Sequence, residues 1–193
     1  MTREKIKQAA LNQLAQYGYE KAVLSSIAKE VGIKAPSIYS FFESKEALFM
    51  EIYQDLLDEH FKKLKELMTS NEGQAPEKRL KKLLQGILTY HIQNPKKTRV
   101  LIQLLLFPPE FIRKDMEKLF IEKEKMQRKL LSEIFTDALE KKVIREQKMD
   151  DLIVSFLCLM DGLFLELFYY GEEVLMAKLE QIWRVYWTGL TKS

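Results

Sequence analysis

The chain has 193 residues, a net charge of +3 and 47% apolar residues, which is enough for a packed core and too apolar for a disordered chain. Leu occurs 29 times and Val 7 times, with 7 Gly and 5 Pro, so the composition predicts an all-α protein. The single Cys158 excludes an intrachain disulfide. Because it lies in an apolar run, we expect a buried thiol in a reducing compartment.

Membrane insertion is not expected. The first residues are charged, and a mostly apolar stretch without Lys, Arg, Asp, Glu or His, residues 100–109, is about half of the roughly 20 residues that a spanning helix needs. We therefore expect a soluble, cytoplasmic protein without a membrane partner. Residues 1–50 hold 7 Lys/Arg and 5 Asp/Glu, so charge alone does not indicate nucleic-acid binding.

Breakers divide the sequence into about nine helical segments. Ile6, Ala10 and Leu14 are four residues apart and predict the inner face of a first helix, which ends at Gly18 in a left-handed conformation. Two short helices follow before residue 43, and Ser44 is suited to cap a long helix that continues to about residue 68. Further helices are predicted at about residues 77–93, 96–107, 110–141, 149–170 and 173–190.

The spacing within residues 24–42 is typical of a helix-turn-helix. Ala28 lets two helices approach closely, Gly32 takes the positive φ of the tight turn, and Ile38 fixes the crossing of the second helix. Pro36 belongs in the first turn of that helix, where a missing N–H costs nothing. The end that would point at DNA then carries Lys34, Ala35 and Ser37.

The N-terminal segment resembles the DNA-binding domain of TetR/AcrR-family transcriptional repressors. The residues that carry the resemblance are Ile6, Ala9-Ala10, Leu14, Gly18-Tyr19, Ile27-Ala28, Val31-Gly32-Ile33, Ser37-Ile38-Tyr39, Phe42, Ser44-Lys45 and Leu48. The resemblance implies a three-helix DNA-reading head at residues 1–47 and an effector-binding and dimerisation domain at residues 48–193. It also implies a homodimer on double-stranded, pseudo-palindromic operator DNA, a small organic effector and no cofactor.

By the same resemblance, a group of positions in the head matches the DNA contacts of the family. These positions are Lys34, Ala35, Pro36, Ser37, Tyr39, Ser40 and Phe41, with Lys45 matching the lysine that grips phosphate. One departure is Val23, where the family commonly has a Thr or Ser that caps the second helix and touches phosphate. Ser25 or Ser26 would substitute for that hydroxyl only in part.

The remainder of the chain carries no recognisable catalytic motif, so an enzyme is not expected. His60 and His91 are the two histidines, and we expect them at the surface or at a pocket rim, with no metal site. Asp161 and Glu166 interrupt the most apolar helix, so each needs a partner, a solvent-facing position or a cationic ligand.

Aromatic and Met residues at helical spacing line either a plain core or an apolar pocket between helices. The predicted effector pocket comprises Phe61, Leu64, Tyr90, Phe107, Phe111, Met116, Phe120 and Met160. The last two helices carry more apolar residues than one inner stripe uses, which predicts a homodimer interface. Its predicted residues are Leu157, Phe164, Phe168, Trp183 and Trp187.

Taken with the resemblance, these patterns predict a DNA-binding regulator, a repressor released from its operator by an apolar or amphipathic small molecule. The alternative is a helical small-molecule-binding or interaction protein whose head no longer binds DNA. Val23, Phe41 and the small positive charge of the head favour that alternative.

Overall fold

A computed structural model describes residues 2–191 and confirms the all-α class. Within these residues the secondary structure comprises eight α-helices and two short 3₁₀ helices. The 3₁₀ helices are Ala35–Ser40 and Glu110–Ile112. The α-helices are α1 Thr2–Lys21, α2 Leu24–Val31, α3 Lys45–Thr69, α4 Pro76–Gln93, α5 Pro95–Leu106, α6 Arg113–Glu140, α7 Met149–Glu166 and α8 Glu172–Leu190. None of the described helices is both long and apolar enough to cross a bilayer.

The chain forms two compact units. The first unit comprises Met1–His60 and Asn94–Lys123, and the second comprises Phe61–Gln93 and Glu124–Ser193. The division falls inside α3 and inside α6, so each of these helices contributes to both units. The predicted DNA-binding segment, residues 1–47, lies within the first unit.

The first unit is built on α1, which packs against α2 and α5. The predicted inner face is confirmed, since Ile6, Ala10 and Leu14 are each at most 1% exposed. Gly18 has φ +74° and ψ 175°, so its positive φ is confirmed. These non-helical angles end the first helical segment at Gly18, as predicted, and a separate short helical turn follows to Lys21.

The second unit is held together by α4, α7 and α8, which pack against one another. His91 on α4 is 3% exposed, with its ring centroid 5.1 Å from that of Tyr90 and 4.4 Å from that of Phe164. The prediction of a surface or rim position for His91 is therefore wrong, because the residue belongs to an aromatic core cluster.

Cys158 also differs from its prediction. Phe156, Met160 and Leu163 form the buried stripe of α7, and position 158 falls on the other side of the helix, so the thiol is exposed. Two boundaries differ as well. Residues 110–112 form a 3₁₀ turn before α6 begins, and α7 ends at Glu166 rather than near residue 170.

Candidate functional site

The turn after α2 has the geometry that the sequence predicts. Gly32 has φ +77° in the left-handed region, where a side chain would be strained. The N–H of Ile33 donates to the carbonyl of Ala28 at 2.9 Å, which closes the helix end. Ala28 is 1% exposed and Ile27 is fully buried, so α2 packs by its small and branched residues and leaves its other side to solvent.

The third helix of the head, Ala35–Ser40, is a 3₁₀ helix rather than an α-helix. Its i→i+3 pattern is seen where the N–H of Phe41 donates to the carbonyl of Ile38 at 2.9 Å. Pro36 lies in its first turn, as predicted. Ile38 and Phe42 are 0% and 3% exposed, whereas Tyr39 is 58% exposed, so the helix buries one side and presents Tyr39 outward.

The predicted DNA contacts lie on α2, the turn, the 3₁₀ helix and the start of α3. We call this set the head surface. Its exposed members are Ser25, Lys34, Pro36, Tyr39 and Ser40, and its half-buried members are Ser26, Ala35, Ser37, Phe41 and Lys45. All of them belong to the first unit, and contact with DNA stays a prediction for each.

Arg3 of α1, which the sequence analysis does not single out, contacts residues that support the head surface. The guanidinium of Arg3 donates to the carbonyl of Phe41 and to the carboxylate of Glu51, and it lies 4.2 Å from the centroid of the Phe42 ring. We call Arg3, Phe41, Phe42 and Glu51 the Arg3 clamp. The hydrogen bond that Arg3 donates to Glu51 lowers the pKa of Glu51. Partners 48 residues apart leave no local signal in the sequence.

Lys7, one turn further along α1, adds ionic contacts between α1 and α3. Its Nζ lies 2.7 Å from Oδ2 of Asp55 and 3.3 Å from Oε1 of Glu51. Burial alone would lower the pKa of Lys7, but the bonds to Asp55, Glu4 and Glu51 raise it above its usual range. The N-terminal half of α3 is therefore joined to α1 by a row of ionic contacts.

The start of α3 is capped as predicted, since the N–H of Ala47 donates to Oγ of Ser44 at 3.1 Å. Lys45, the next residue, donates from Nζ to the carbonyl of Tyr19 at 2.9 Å and lies 4.4 Å from the Tyr19 ring centroid. An ammonium has three donors, so this contact leaves others for a phosphate. At the N-terminus of α2, Val23 provides no side-chain cap, as its apolar side chain predicts.

The predicted effector residues are divided between the units. Phe107, Phe111, Met116 and Phe120 belong to the first unit, and Phe61, Leu64, Tyr90 and Met160 to the second. Phe107 and Phe111 are 80% and 56% exposed. A cleft of about 180 Å³, including its open mouth, lies in the second unit. Its lining residues are Phe61, Leu64, Lys65, Met68, Met126, Gln127 and Leu130.

The two carboxylates within α7, Asp161 and Glu166, are accommodated by solvent exposure and by an ion pair, respectively. Asp161 is exposed, with its pKa raised by partial burial and by the nearby Glu124. Glu166 forms an ion pair with Lys178. Neither lines the cleft, so the condition for a cationic ligand is not met there. Among residues 2–191, no cluster of three His, Cys, Asp or Glu side chains is arranged to hold a metal ion.

The predicted dimer residues differ in exposure. Leu157 and Trp183 are 8% and 3% exposed and pack inside the second unit, while Phe168 is 47% exposed. Phe164 packs on His91, and Trp187 stacks on Trp183 with centroids 5.6 Å apart. The exposed residues of α7 and α8 include Val154, Leu165, Val174 and Val185. The interface itself stays a prediction.

The fold and the head surface together define a helix-turn-helix protein with a helical body. Residues 6–52 match the family described as bacterial regulatory proteins, tetR family, so the helix-turn-helix head is similar to the heads of that family. The chain is 33% identical over 88 residues to the uncharacterised HTH-type transcriptional regulator YdgC of Bacillus subtilis, a match covering 46% of this chain and 45% of YdgC. The chain thus spans less than half the length of this relative.

Two other proteins are similar over longer stretches. The probable acrEF/envCD operon repressor of Escherichia coli K12 is 28% identical over 116 residues, covering 57% of this chain and 49% of the repressor. The regulator FadR of Bacillus subtilis, solved in complex with stearoyl-CoA, aligns with TM-score 0.75 at 17% identity, covering 97% of this chain and 98% of FadR. That structural likeness shows the shared fold.

Proposed function

We propose that the chain is a DNA-binding transcriptional repressor that acts as a homodimer on pseudo-palindromic operator DNA in the cytoplasm. The observation that carries this proposal is the 58% exposure of Tyr39 between the buried Ile38 and Phe42. An exposed aromatic with the exposed Lys34 and Ser40 nearby suits contacts to phosphate, sugar and base edges. Similarity to the acrEF/envCD operon repressor supports a repressing role.

The test is fluorescence anisotropy of the full chain with DNA fragments flanking its own gene. We expect one fragment to bind with a dissociation constant of about 10⁻⁸ M or below at physiological salt, at least about 1,000-fold tighter than a shuffled fragment of equal length. Equal binding of the native and shuffled fragments would contradict sequence-specific regulation.

The homodimer part of the proposal rests on the outer faces of α7 and α8. Val154 and Leu165 on α7, and Val174 and Val185 on α8, are at least 40% exposed, which gives both helices an apolar outer stripe. Two such helices from each copy would form a four-helix contact. The Ala35–Ser40 helix of each copy would then lie in a major groove, with the two grooves about 34–36 Å apart. Light scattering that reports only a 22.8 kDa species at micromolar concentration would contradict the dimer.

The effector part rests on the course of α3, which begins with Lys45 at the head surface and whose residues 61, 64, 65 and 68 line the cleft. A ligand that displaces this part of α3 acts on the helix that supports the head surface. An inducer must bind the DNA-incompetent state better, and a 100-fold preference corresponds to about 2.7 kcal/mol of coupling, which DNA exerts reciprocally on ligand binding. FadR with its bound stearoyl-CoA supports an apolar or amphipathic effector.

A panel of hydrophobic cations, fatty acids and sugars tests the effector part, with operator release and Trp fluorescence followed together. Release by sugars alone would contradict an apolar or amphipathic effector.

A second candidate function is a helical ligand-binding protein whose head does not bind DNA. The observation that favours it is the uncapped N-terminus of α2 at Val23. The anisotropy experiment separates the two candidates, because the second one binds ligand and neither DNA fragment.

A further inference from the structure

We propose that Phe111 is a positioning residue for DNA binding, because its ring holds Tyr19 in the place where Tyr19 fixes the ammonium group of Lys45. The contact of Lys45 with DNA phosphate rests on the function proposed above. The route from Phe111 to Lys45 rests on contacts that all lie within the first unit.

Lys45 ends in an ammonium group that a carbonyl and two aromatic rings hold in place. Its Nζ donates to the carbonyl of Tyr19 at 2.9 Å. It also lies 4.4 Å from the Tyr19 ring centroid and 5.6 Å from the Phe49 ring centroid. A free lysine side chain samples many rotamers, and a partner that binds it must order them. Contacts that order Lys45 beforehand therefore reduce the cost of binding a phosphate.

Tyr19 is positioned by its side chain rather than by a regular helix. It follows Gly18, whose φ of +74° and ψ of 175° interrupt α1. The Tyr19 ring packs edge to face with the buried Phe49, with centroids 5.1 Å apart, and its hydroxyl donates to Oε1 of Glu46 at 3.3 Å. Burial and the Glu46 carboxylate raise the pKa of Tyr19, so the phenol keeps its proton and this hydrogen bond at neutral pH.

Phe111 supplies a further ring contact to Tyr19, from the turn between α5 and α6. The two ring centroids are 5.4 Å apart and the ring planes are tilted by 50°. The turn is anchored by the buried Pro109 and Ile112, and the N–H of Ile112 donates to the carbonyl of Pro109 at 3.1 Å. Phe111 itself is 56% exposed. It adds little buried area to the core, so its contact with Tyr19 affects the position of Tyr19 more than the stability of the fold.

A double-mutant cycle on the full chain, measured by fluorescence anisotropy, tests whether Phe111 acts through Lys45. Phe111→Ala should weaken operator and random DNA alike by about threefold, the cost of ordering one flexible side chain on binding, and should lower the slope of log K against log salt. In a chain that carries Lys45→Met, the same substitution should change neither quantity. Phe111→Tyr keeps the ring and should bind as the unaltered chain does. The matched control is Phe107→Ala, which removes an 80% exposed ring next to the same turn and should change neither quantity in either chain.

A second measurement follows Lys45 without DNA. Protons that lie over an aromatic ring resonate upfield, so in a chain with ¹³C-labelled lysines the ε-methylene signal of Lys45 should lie upfield of those of exposed lysines. Lys45→Met identifies this signal by its absence. We expect Phe111→Ala to move the signal toward those of the exposed lysines and Phe107→Ala to leave it in place, with little change in the melting temperature of either variant.

The two measurements distinguish this inference from the proposed function. An unmoved Lys45 signal in Phe111→Ala, unchanged DNA affinity in that variant, or an equal loss of affinity with and without Lys45 would each overturn the positioning role of Phe111. A Lys45 signal that moves in Phe111→Ala, in a chain that binds neither the native nor the shuffled DNA fragment, would support the positioning of Lys45 by Phe111 and contradict the proposed function.

Discussion

The head surface and the body are stabilised by different interactions. At the head surface, ion pairs, a serine cap and hydrogen bonds to backbone carbonyls hold residues of α1, the 3₁₀ helix and α3 in place. In the second unit, rings pack on rings and Met side chains line the cleft. The proposed DNA contact calls for a polar surface held in a fixed position, and the proposed effector calls for apolar side chains, so the two regions differ in the sense that the proposal requires.

The difference also concerns energy. Exposed ion pairs such as Arg3–Glu51 contribute little to stability because water and salt screen them, so their main effect is on the position of the chain they join. Apolar contacts in the second unit contribute to stability in proportion to the area that they bury. Substitutions at the head surface should therefore change DNA binding more than stability, and substitutions in the body should change assembly, ligand binding or stability.

The largest expected effect concerns the outer face of α7. Gly162 is exposed there, and nothing lies within 4 Å of where its Cβ would be, so Gly162→Arg fits a single chain. In the proposed dimer the long cation would meet the partner, and we expect the dimer dissociation constant to rise at least about 100-fold, measured by sedimentation. Thr136→Arg, at an exposed position of α6, should leave it unchanged. Equal dimer dissociation constants for Gly162→Arg and Thr136→Arg would show that α7 is not part of the interface.

The second effect is on stability. Burial lowers the pKa of His60 from 6.5 to about 4, so the folded state favours the neutral ring. This stabilisation is complete above pH 6.5 and is lost as the pH falls toward 4. Between pH 7.5 and pH 4.5 the loss is on the order of 2 kcal/mol. Chemical denaturation should show His60→Gln losing less stability over this range than the unaltered chain by about that amount. Equal losses would contradict the burial of a neutral imidazole.

The third effect is on DNA binding by the head surface. Tyr39→Ala should weaken operator binding at least tenfold, about 1.4 kcal/mol, and change the melting temperature by no more than a few degrees, because the side chain is 58% exposed. Tyr169→Ala, which removes a 79% exposed tyrosine from the second unit, is the matched control and should bind as before. Anisotropy and thermal unfolding of both variants provide the check.

These expectations show what the sequence can predict. The left-handed Gly32, Pro36 in the first turn, the Ser44 cap and the inward Ile38 all follow from local backbone chemistry, and all are found. Each depends on residues within a few positions of one another. The short third helix was predicted as well, although its 3₁₀ form was not.

Other features depend on contacts between distant segments and were missed. The Arg3 clamp joins residues 48 positions apart, and the lining of the cleft comes from α3 and from α6. Cys158 departs from its prediction because an apolar run is not buried on all sides, and α7 buries only the stripe that includes Phe156 and Met160. His91 departs from its prediction because its imidazole packs against an aromatic ring, that of Phe164, as an apolar group does.

A smaller effect is expected at Lys45. Its removal in Lys45→Met should weaken operator and random DNA alike, by about fivefold, and lower the slope of log K against log salt by about one per subunit. The variant also loses the contact to the carbonyl of Tyr19, so a small drop in melting temperature should accompany it. Lys118→Met, at an exposed lysine of the same unit, is the control. A loss confined to operator DNA would contradict a phosphate contact.

The smallest expected effect tests whether Arg3 holds the 3₁₀ helix in position or contacts DNA directly. Arg3→Lys keeps the charge but lacks the planar fork that serves the Phe41 carbonyl and the Glu51 carboxylate together. We expect operator affinity to fall about threefold, with random DNA unchanged, because the 3₁₀ helix loses its fixed position while the phosphate charge balance is kept.

Glu51→Gln tests the same clamp from the other side and should give a similar loss of operator affinity. Since hydrogen bonding from Arg3 lowers the pKa of Glu51, the clamp persists above the ordinary carboxyl pKa and is lost as the pH falls through the lowered value. The glutamine variant should therefore lack that part of the acid sensitivity of operator binding. An equal loss on operator and random DNA in Arg3→Lys would instead make Arg3 a phosphate contact. The head surface would then be held in place by Lys7, the Ser44 cap and the bond from Lys45 to the Tyr19 carbonyl.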